Sequence, residues 1–247
     1  MTTPPYEDLL AHVDDRSRVL RAAIAGHLDA AVPGCPGWTG WDLVAHLGEV
    51  QRFWAAAVTA GPAAGPPVEG GEERSAAPAG EDVLGWLGTG TDRLLAALRS
   101  ADPDLGVWTW WGEPATAGAV ARHQAQEAAV HGWDAQSAAG RPEPVPADLA
   151  ADAVDEFLHV TVPSSGPWPH APATVGLAPA GREEGWSVRL GADGGSPVRG
   201  RPEGDAVVRG EPSALLLALY GRSRLDTLEV TGDRDLAARF LSWPDTT

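Results

Sequence analysis

Ahead of residue 140, apolar side chains recur at intervals of three and four over four separate stretches, each long enough for about five turns of α-helix. Residues 6–28 carry Leu9, Leu10, Val13, Leu20, Ile24 and Leu28 at that spacing, and residues 40–60 carry Leu43, Val44, Leu47, Val50 and Phe53. Residues 81–99 carry Val83, Leu84, Trp86, Leu87, Leu94, Leu95 and Leu98, and an alanine-rich fourth stretch runs from Thr116 to about Ala139. A helix with one apolar stripe is stable only when that stripe is covered, so four such helices predict a four-helix bundle. Thr39 with Asp42 three residues on resembles a capping box for the second helix, and Thr116 is placed to cap the fourth.

Two stretches interrupt this pattern. Residues 61–80, GPAAGPPVEGGEERSAAPAG, are rich in Pro, Gly and Glu and can bury little, which predicts a mobile loop. GRPEPVP, residues 140–146, reads as a boundary that separates a bundle over residues 1–142 from a second domain over 143–247. Beyond it come a helix at about 148–160, strand-like runs ATVGLAP, GWSVRLG and DAVVRG, and a helix over 211–220. A short strand in DTLEVTG and a closing helix over 233–241 complete a small α+β domain.

The fourth helix carries an unusual polar stripe. In HQAQEAAVHGWD, His123, Glu127, His131 and Asp134 follow one another at spacings of four, four and three, so they share one narrow sector of the helix surface. His46 sits near the apolar face of the second helix and is expected to point toward the other helices. His46, Glu127 and His131 together would make a two-His, one-carboxylate ligand set, with a fourth position open to water or substrate. A plainer reading stands beside it, in which Glu127 and His131 form an exposed hydrogen-bonding pair and His46 is a satisfied core histidine. Asp134 is either a solvated charge or the carboxylate that orients a ligand histidine. Cys35, in a Pro/Gly turn, reads as a small buried residue rather than a nucleophile. The aromatic run WTWW, residues 108–111, reads as a packing cluster or a pocket wall. HExxH, a Gly-rich phosphate loop and G-x-S-x-G are all absent.

Composition narrows the partners. The 247 residues carry 34 acidic and 18 basic side chains for a net charge of −16, and none of the basic residues is lysine. Such a surface repels nucleic acid and anionic membranes, so a small molecule is the expected partner, and an acidic one would need a local arginine pocket. Absence of lysine with abundant Ala, Gly, Pro and Arg is typical of a GC-rich genome and points to an actinobacterial source. A single cysteine excludes an internal disulfide. No signal-like start and no membrane-length apolar run is present, which leads to the expectation of a cytoplasmic protein, with a monomer plausible.

VPGCPGWTGWDLVAHLG, RHQAQEAAVHGWDA and LLLALYGRSRLDTLEVTGDRDLAARFL resemble, in that order, the mycothiol-dependent maleylpyruvate isomerase family. The resemblance covers nearly the whole chain. It implies a DinB-like four-helix bundle followed by a small α+β domain of sterol-carrier-like fold, with a divalent metal, zinc first among candidates, on His46, Glu127 and His131. It further implies a catalytic role for Asp134, which would orient His131 or take a proton, and for a basic residue of the second domain, for which Arg222 is the candidate. His123 stands where the family commonly has a second arginine after Arg122, so it is either an added ligand or a residue that shapes the pocket for thiol or substrate.

In the activity so implied, mycothiol supplies a thiolate that adds to a small electrophilic substrate. Expulsion of sulfur after bond rotation makes the enzyme a cis-trans isomerase, and retention of the adduct makes it an S-transferase. The rival readings are a thiol-independent metalloenzyme (a hydrolase, lyase or tailoring enzyme) and a non-catalytic metal or ligand-binding protein.

Overall fold

The structure is a computed structural model that describes residues 3–63, 65–67 and 76–244. The chain divides into two compact units, one over residues 4–143 and one that takes in the chain from residue 144 onward. Part of the 61–80 segment, residues 64 and 68–75, lies outside the described residues.

The first unit holds α1 (Tyr6–Ile24), α2 (Gly40–Ala60), α3 (Asp82–Ser100) and α4 (Ala117–Ala138). α1 stops four residues before the apolar spacing does, because Gly26 takes φ +74° and the chain turns there. Thr39 caps α2 in a full capping box: its backbone N–H donates to Asp42 Oδ2 at 2.8 Å, and Asp42 N–H donates to Thr39 Oγ1 at 3.3 Å. Thr39 Oγ1 also donates to Asp42 Oδ2 at 2.6 Å, and this side-chain bond first and the Thr39 backbone bond second hold the Asp42 carboxyl below its usual range. Thr116 Oγ1 accepts from Ala119 N–H and caps α4.

α1 packs chiefly on α4, and α2 chiefly on α3, with further contact of α1 with α3 and of α2 with α4. α1 and α2 therefore lie on a diagonal. That arrangement turns one face of α2 toward α4. Where α2 meets α3, Gly48 has no side chain because Trp86 fills the space: a Cβ there would stand 2.2 Å from the indole. A polar layer crosses the centre of this unit. Gln51 donates to Ser17 at 2.8 Å and accepts from Thr91 at 2.7 Å. Gln124 is fully buried nearby in sequence to the stripe, with neither amide atom partnered.

The second unit opens with α5 (Ala147–Ser164), which continues past the expected end, Pro163 being accommodated in its last turn. β1 (Ala173–Pro179), β2 (Gly185–Gly191), β3 (Gly194–Gly200), β4 (Ala206–Gly210) and β5 (Glu229–Gly232) form one sheet in the order β3-β2-β1-β4-β5. β1 and β4 run parallel and the other pairs antiparallel. α6 (Pro212–Leu219) and α7 (Arg234–Leu241) complete it, around a core that includes Phe157, Trp186, Val208, Leu216 and Phe240.

β3 was not expected from the sequence. GGSPVRG has no apolar alternation, and Pro197 removes a ladder donor. It forms because it is an edge strand, hairpinned to β2 by a turn that ends in Gly194 at φ +94°, and Pro197 opposite Val188 is tolerated at an edge. Buried Asp155 of α5 ties this edge down by accepting from Trp186 Nε1 at 2.8 Å and from Arg199 Nε at 2.5 Å. Of the short strand expected in DTLEVTG, the first residues form a 3-10 turn (Leu225–Thr227) and the rest is β5. Among the described residues no helix is long and apolar enough to cross a membrane.

Candidate metal centre

The diagonal placement of α1 and α2 sets His46 against the polar stripe of α4. His46 Nε2 lies 3.2 Å from Glu127 Oε1, and His131 Nε2 lies 3.3 Å from the same oxygen. Two ligand atoms each about 2.0–2.1 Å from a tetrahedral ion stand roughly 3.3–3.4 Å apart, so this spacing fits a tetrahedral ion such as zinc. The two imidazoles meet edge to face with centroids 5.1 Å apart. The His46 side chain is 35% exposed, against 10% for His131 and 18% for Glu127, so the accessible side of the group is at His46. Three candidate ligands with one accessible side match the pattern of a site that keeps a position open.

The other nitrogen of His131 is committed. Nδ1 lies 3.0 Å from Oδ2 of the fully buried Asp134, which fixes the ring with Nδ1 as donor and Nε2 facing Glu127. The same Oδ2 accepts the Cys35 thiol at 3.5 Å. Burial by itself would push the Glu127 carboxyl up, but hydrogen bonds from His131 and His46 and the nearby His131 and His123 charges hold it well below its usual range. Burial likewise opposes a charged His131, yet Asp134, Cys35 and Glu127 together raise its pKa well above the ordinary imidazole value.

The turn before α2 completes the surround. Val32 N–H donates to Trp38 C=O, Cys35 N–H to Val32 C=O and Trp38 N–H to Cys35 C=O, a tight loop that Gly37 permits at φ +88°. It places the Trp38 ring 4.8 Å from His46 and 6.2 Å from His131. Cys35 thus contacts the site. Sequence spacing could not find this, because 99 residues separate the thiol from Asp134.

Among the described residues a second group, Cys35, His131 and Asp134, also brings three donor atoms within reach of one another. It uses Nδ1 of His131 instead of Nε2. All three of its members are buried, so a ligand there would have no open position, and occupying it would break the hydrogen bond that orients His131. Of the two candidate groups, the geometry favours His46, Glu127 and His131.

His123 belongs to neither group. It is 9% exposed and ringed by Trp111, Trp110 and Trp54 at centroid distances of 4.9, 5.8 and 6.0 Å. The WTWW run is thus a wall one helical turn from Glu127, with Trp110 itself 49% exposed. Arg222 lies in the second unit, in the turn after α6. Its guanidinium donates to Tyr220 C=O at 2.7 Å and sits 5.7 Å from the Tyr220 ring centre.

Comparison with known proteins agrees with this architecture. No curated protein matches the chain at a significant level. Two solved structures of mycothiol-dependent maleylpyruvate isomerase, one of them a histidine-to-alanine mutant, superpose with TM-scores of 0.65 and 0.66. Each is 16% identical and covers 99% of both chains, a likeness of fold. Residues 148–239 match the MDMPI C-terminal domain. Residues 9–136, more than half of the chain, match the mycothiol maleylpyruvate isomerase N-terminal domain, and the protein therefore belongs to that family.

Proposed function

We propose that the chain is a metal-dependent enzyme that uses mycothiol to act on a small electrophilic acid, with cis-trans isomerisation of a maleylpyruvate-like substrate as its reaction. The observation that carries this reading is the spacing of His46, Glu127 and His131 about one shared point, with one side accessible. The name and activity of the isomerases that share the fold support it.

His46 Nε2, Glu127 Oε1 and His131 Nε2 would hold the metal, zinc being the ion that this ligand set suits best. When bound, the ion would supply a Lewis-acidic position that favours the thiolate of a thiol whose ordinary pKa is about 8.5. Addition of the thiolate to the cis double bond forms a C–S bond and leaves a single bond free to rotate. Breaking the same C–S bond restores the double bond in the trans form and returns the thiolate, with no net oxidation. Retention of the C–S bond would make the product an S-conjugate instead.

Asp134 is fully buried, so its role is to position His131 rather than to meet substrate. His123 and the tryptophans around it would bound the pocket for thiol or substrate. Arg222 would bind a carboxylate of substrate or thiol. A bundle over 1–142, a second domain over 143–247, a cytoplasmic location and a monomeric state belong to the same reading.

Calorimetric titration of the zinc-loaded protein with mycothiol, beside His131→Ala, tests it. Binding that disappears in the variant is expected. Turnover that survives in a metal-free His46→Ala or His131→Ala protein would sink the scheme.

A further inference from the structure

A cleft opens on the bundle between α2 and α3, with a volume of about 560 Å³, and none of its lining residues belongs to the candidate metal triad. Arg52 follows His46 by six residues on α2, so it points roughly 120° away around the helix. Arg52 is 3% exposed, and its guanidinium stacks 3.7 Å from the Trp86 ring centre. NH1 donates to Gly48 C=O at 3.1 Å and NH2 to Trp86 C=O at 2.7 Å, while Nε is buried with no partner. α3 makes room for it with a glycine: a Cβ at Gly90 would stand 2.5 Å from the guanidinium.

Among the described residues no carboxylate pairs with this charge. None of the lining residues is acidic, and the second cation of the cleft is Arg93, exposed at its rim. Burial first, and Arg93 second, push the Arg52 pKa down to about 10. In a chain of net charge −16, two arginines facing one acid-free cleft are out of keeping with the rest of the surface. The remaining wall is apolar or weakly polar, with Val58, Leu105 and several alanines beside the Thr59 and Ser100 hydroxyls. Cleft size is within the usual range for a small-molecule site.

We propose that this cleft binds a small organic monocarboxylate with a compact apolar body, its carboxylate set between Arg52 and Arg93 and its body against the alanine wall. The carboxylate supplies the negative charge that Arg52 lacks among the described residues and an acceptor for its unpartnered Nε. The site is separate from the proposed chemistry at His46 and does not depend on it.

The test is titration of the full-length, zinc-loaded protein with benzoate, with inorganic phosphate and with neutral benzyl alcohol, followed by NMR at the Arg52 Nε–Hε resonance. Benzoate is expected to shift that resonance saturably, benzyl alcohol not at all, and phosphate to bind at least about tenfold more weakly for want of an apolar body. Arg93→Gln should weaken benzoate about tenfold, Ala97→Phe should block the cleft without altering charge, and His46→Ala should leave binding unchanged. No saturable shift up to about 50 mM benzoate would reduce Arg52 to a tie between helices and overturn the proposal. Phosphate binding as tightly as benzoate would overturn the ligand class. Loss of the shift in His46→Ala would place the ligand at the triad instead.

Discussion

Asp134 and His131, three residues apart on one helix, share a buried hydrogen bond in which Nδ1 of the ring donates to Oδ2 at 3.0 Å. The bond leaves Nε2 as the only ring nitrogen free to meet Glu127 and His46. Asp134 thereby sets which group the histidine can join.

Asp134→Asn removes the charge that raises His131 basicity but keeps an acceptor of the same shape. Zinc affinity, measured by competition with a chromophoric chelator, should fall by about 10- to 100-fold while the far-ultraviolet circular dichroism is unchanged. Unaltered affinity would show that Asp134 does not act through His131.

Cys35 distinguishes the two donor groups. Cobalt bound at His46, Glu127 and His131 should give no sulfur-to-metal charge-transfer band, and Cys35→Ala should retain metal with affinity within about threefold. A thiolate band lost in Cys35→Ala would move the metal to Cys35, His131 and Asp134.

Gln124 is fully buried with both amide atoms unpartnered, and such a group costs more in the core than an apolar side chain of similar size. Gln124→Met should stabilise the protein by about 1–2 kcal/mol, read from the urea midpoint at constant m-value. Destabilisation would mean that the amide has a partner in solution, such as a buried water.

Tyr6 donates its hydroxyl to Leu98 C=O at 2.8 Å, and burial, with the Glu7 charge second, raises its pKa from 10.0 to about 12. The neutral phenol is thus favoured in the folded state. Its contribution is complete below pH 10, the unfolded value, and is lost as pH rises toward about 12. Denaturation midpoints across that window should fall more steeply for the wild type than for Tyr6→Phe, and parallel curves would contradict this account.

Much of the architecture was legible because it is local. Helical periodicity, the Thr39–Asp42 capping box and the Gly/Pro punctuation each depend on residues within a few positions of one another, and the elements they predict are present, α2 with the same bounds. The i,i+4 relation of Glu127 and His131 is local too. β3 was not legible, since an edge strand of Gly, Ser and Pro is held by the ladder of β2 and by Arg199 on Asp155, not by its own pattern.

The sequence by itself determined the two kinds of unit and the polar stripe of α4. Tertiary structure alone decided what that stripe faces. Which helix lies opposite depends on all four apolar stripes being covered at once, and the solution with α1 and α2 on a diagonal brings His46 to within 3.2 Å of Glu127 across 81 residues. The same packing carries Cys35 to Asp134 and closes the tryptophans around His123. It also buries Arg52 against Trp86 beside a cleft whose described lining residues include no acid, a relation no spacing along the chain could express.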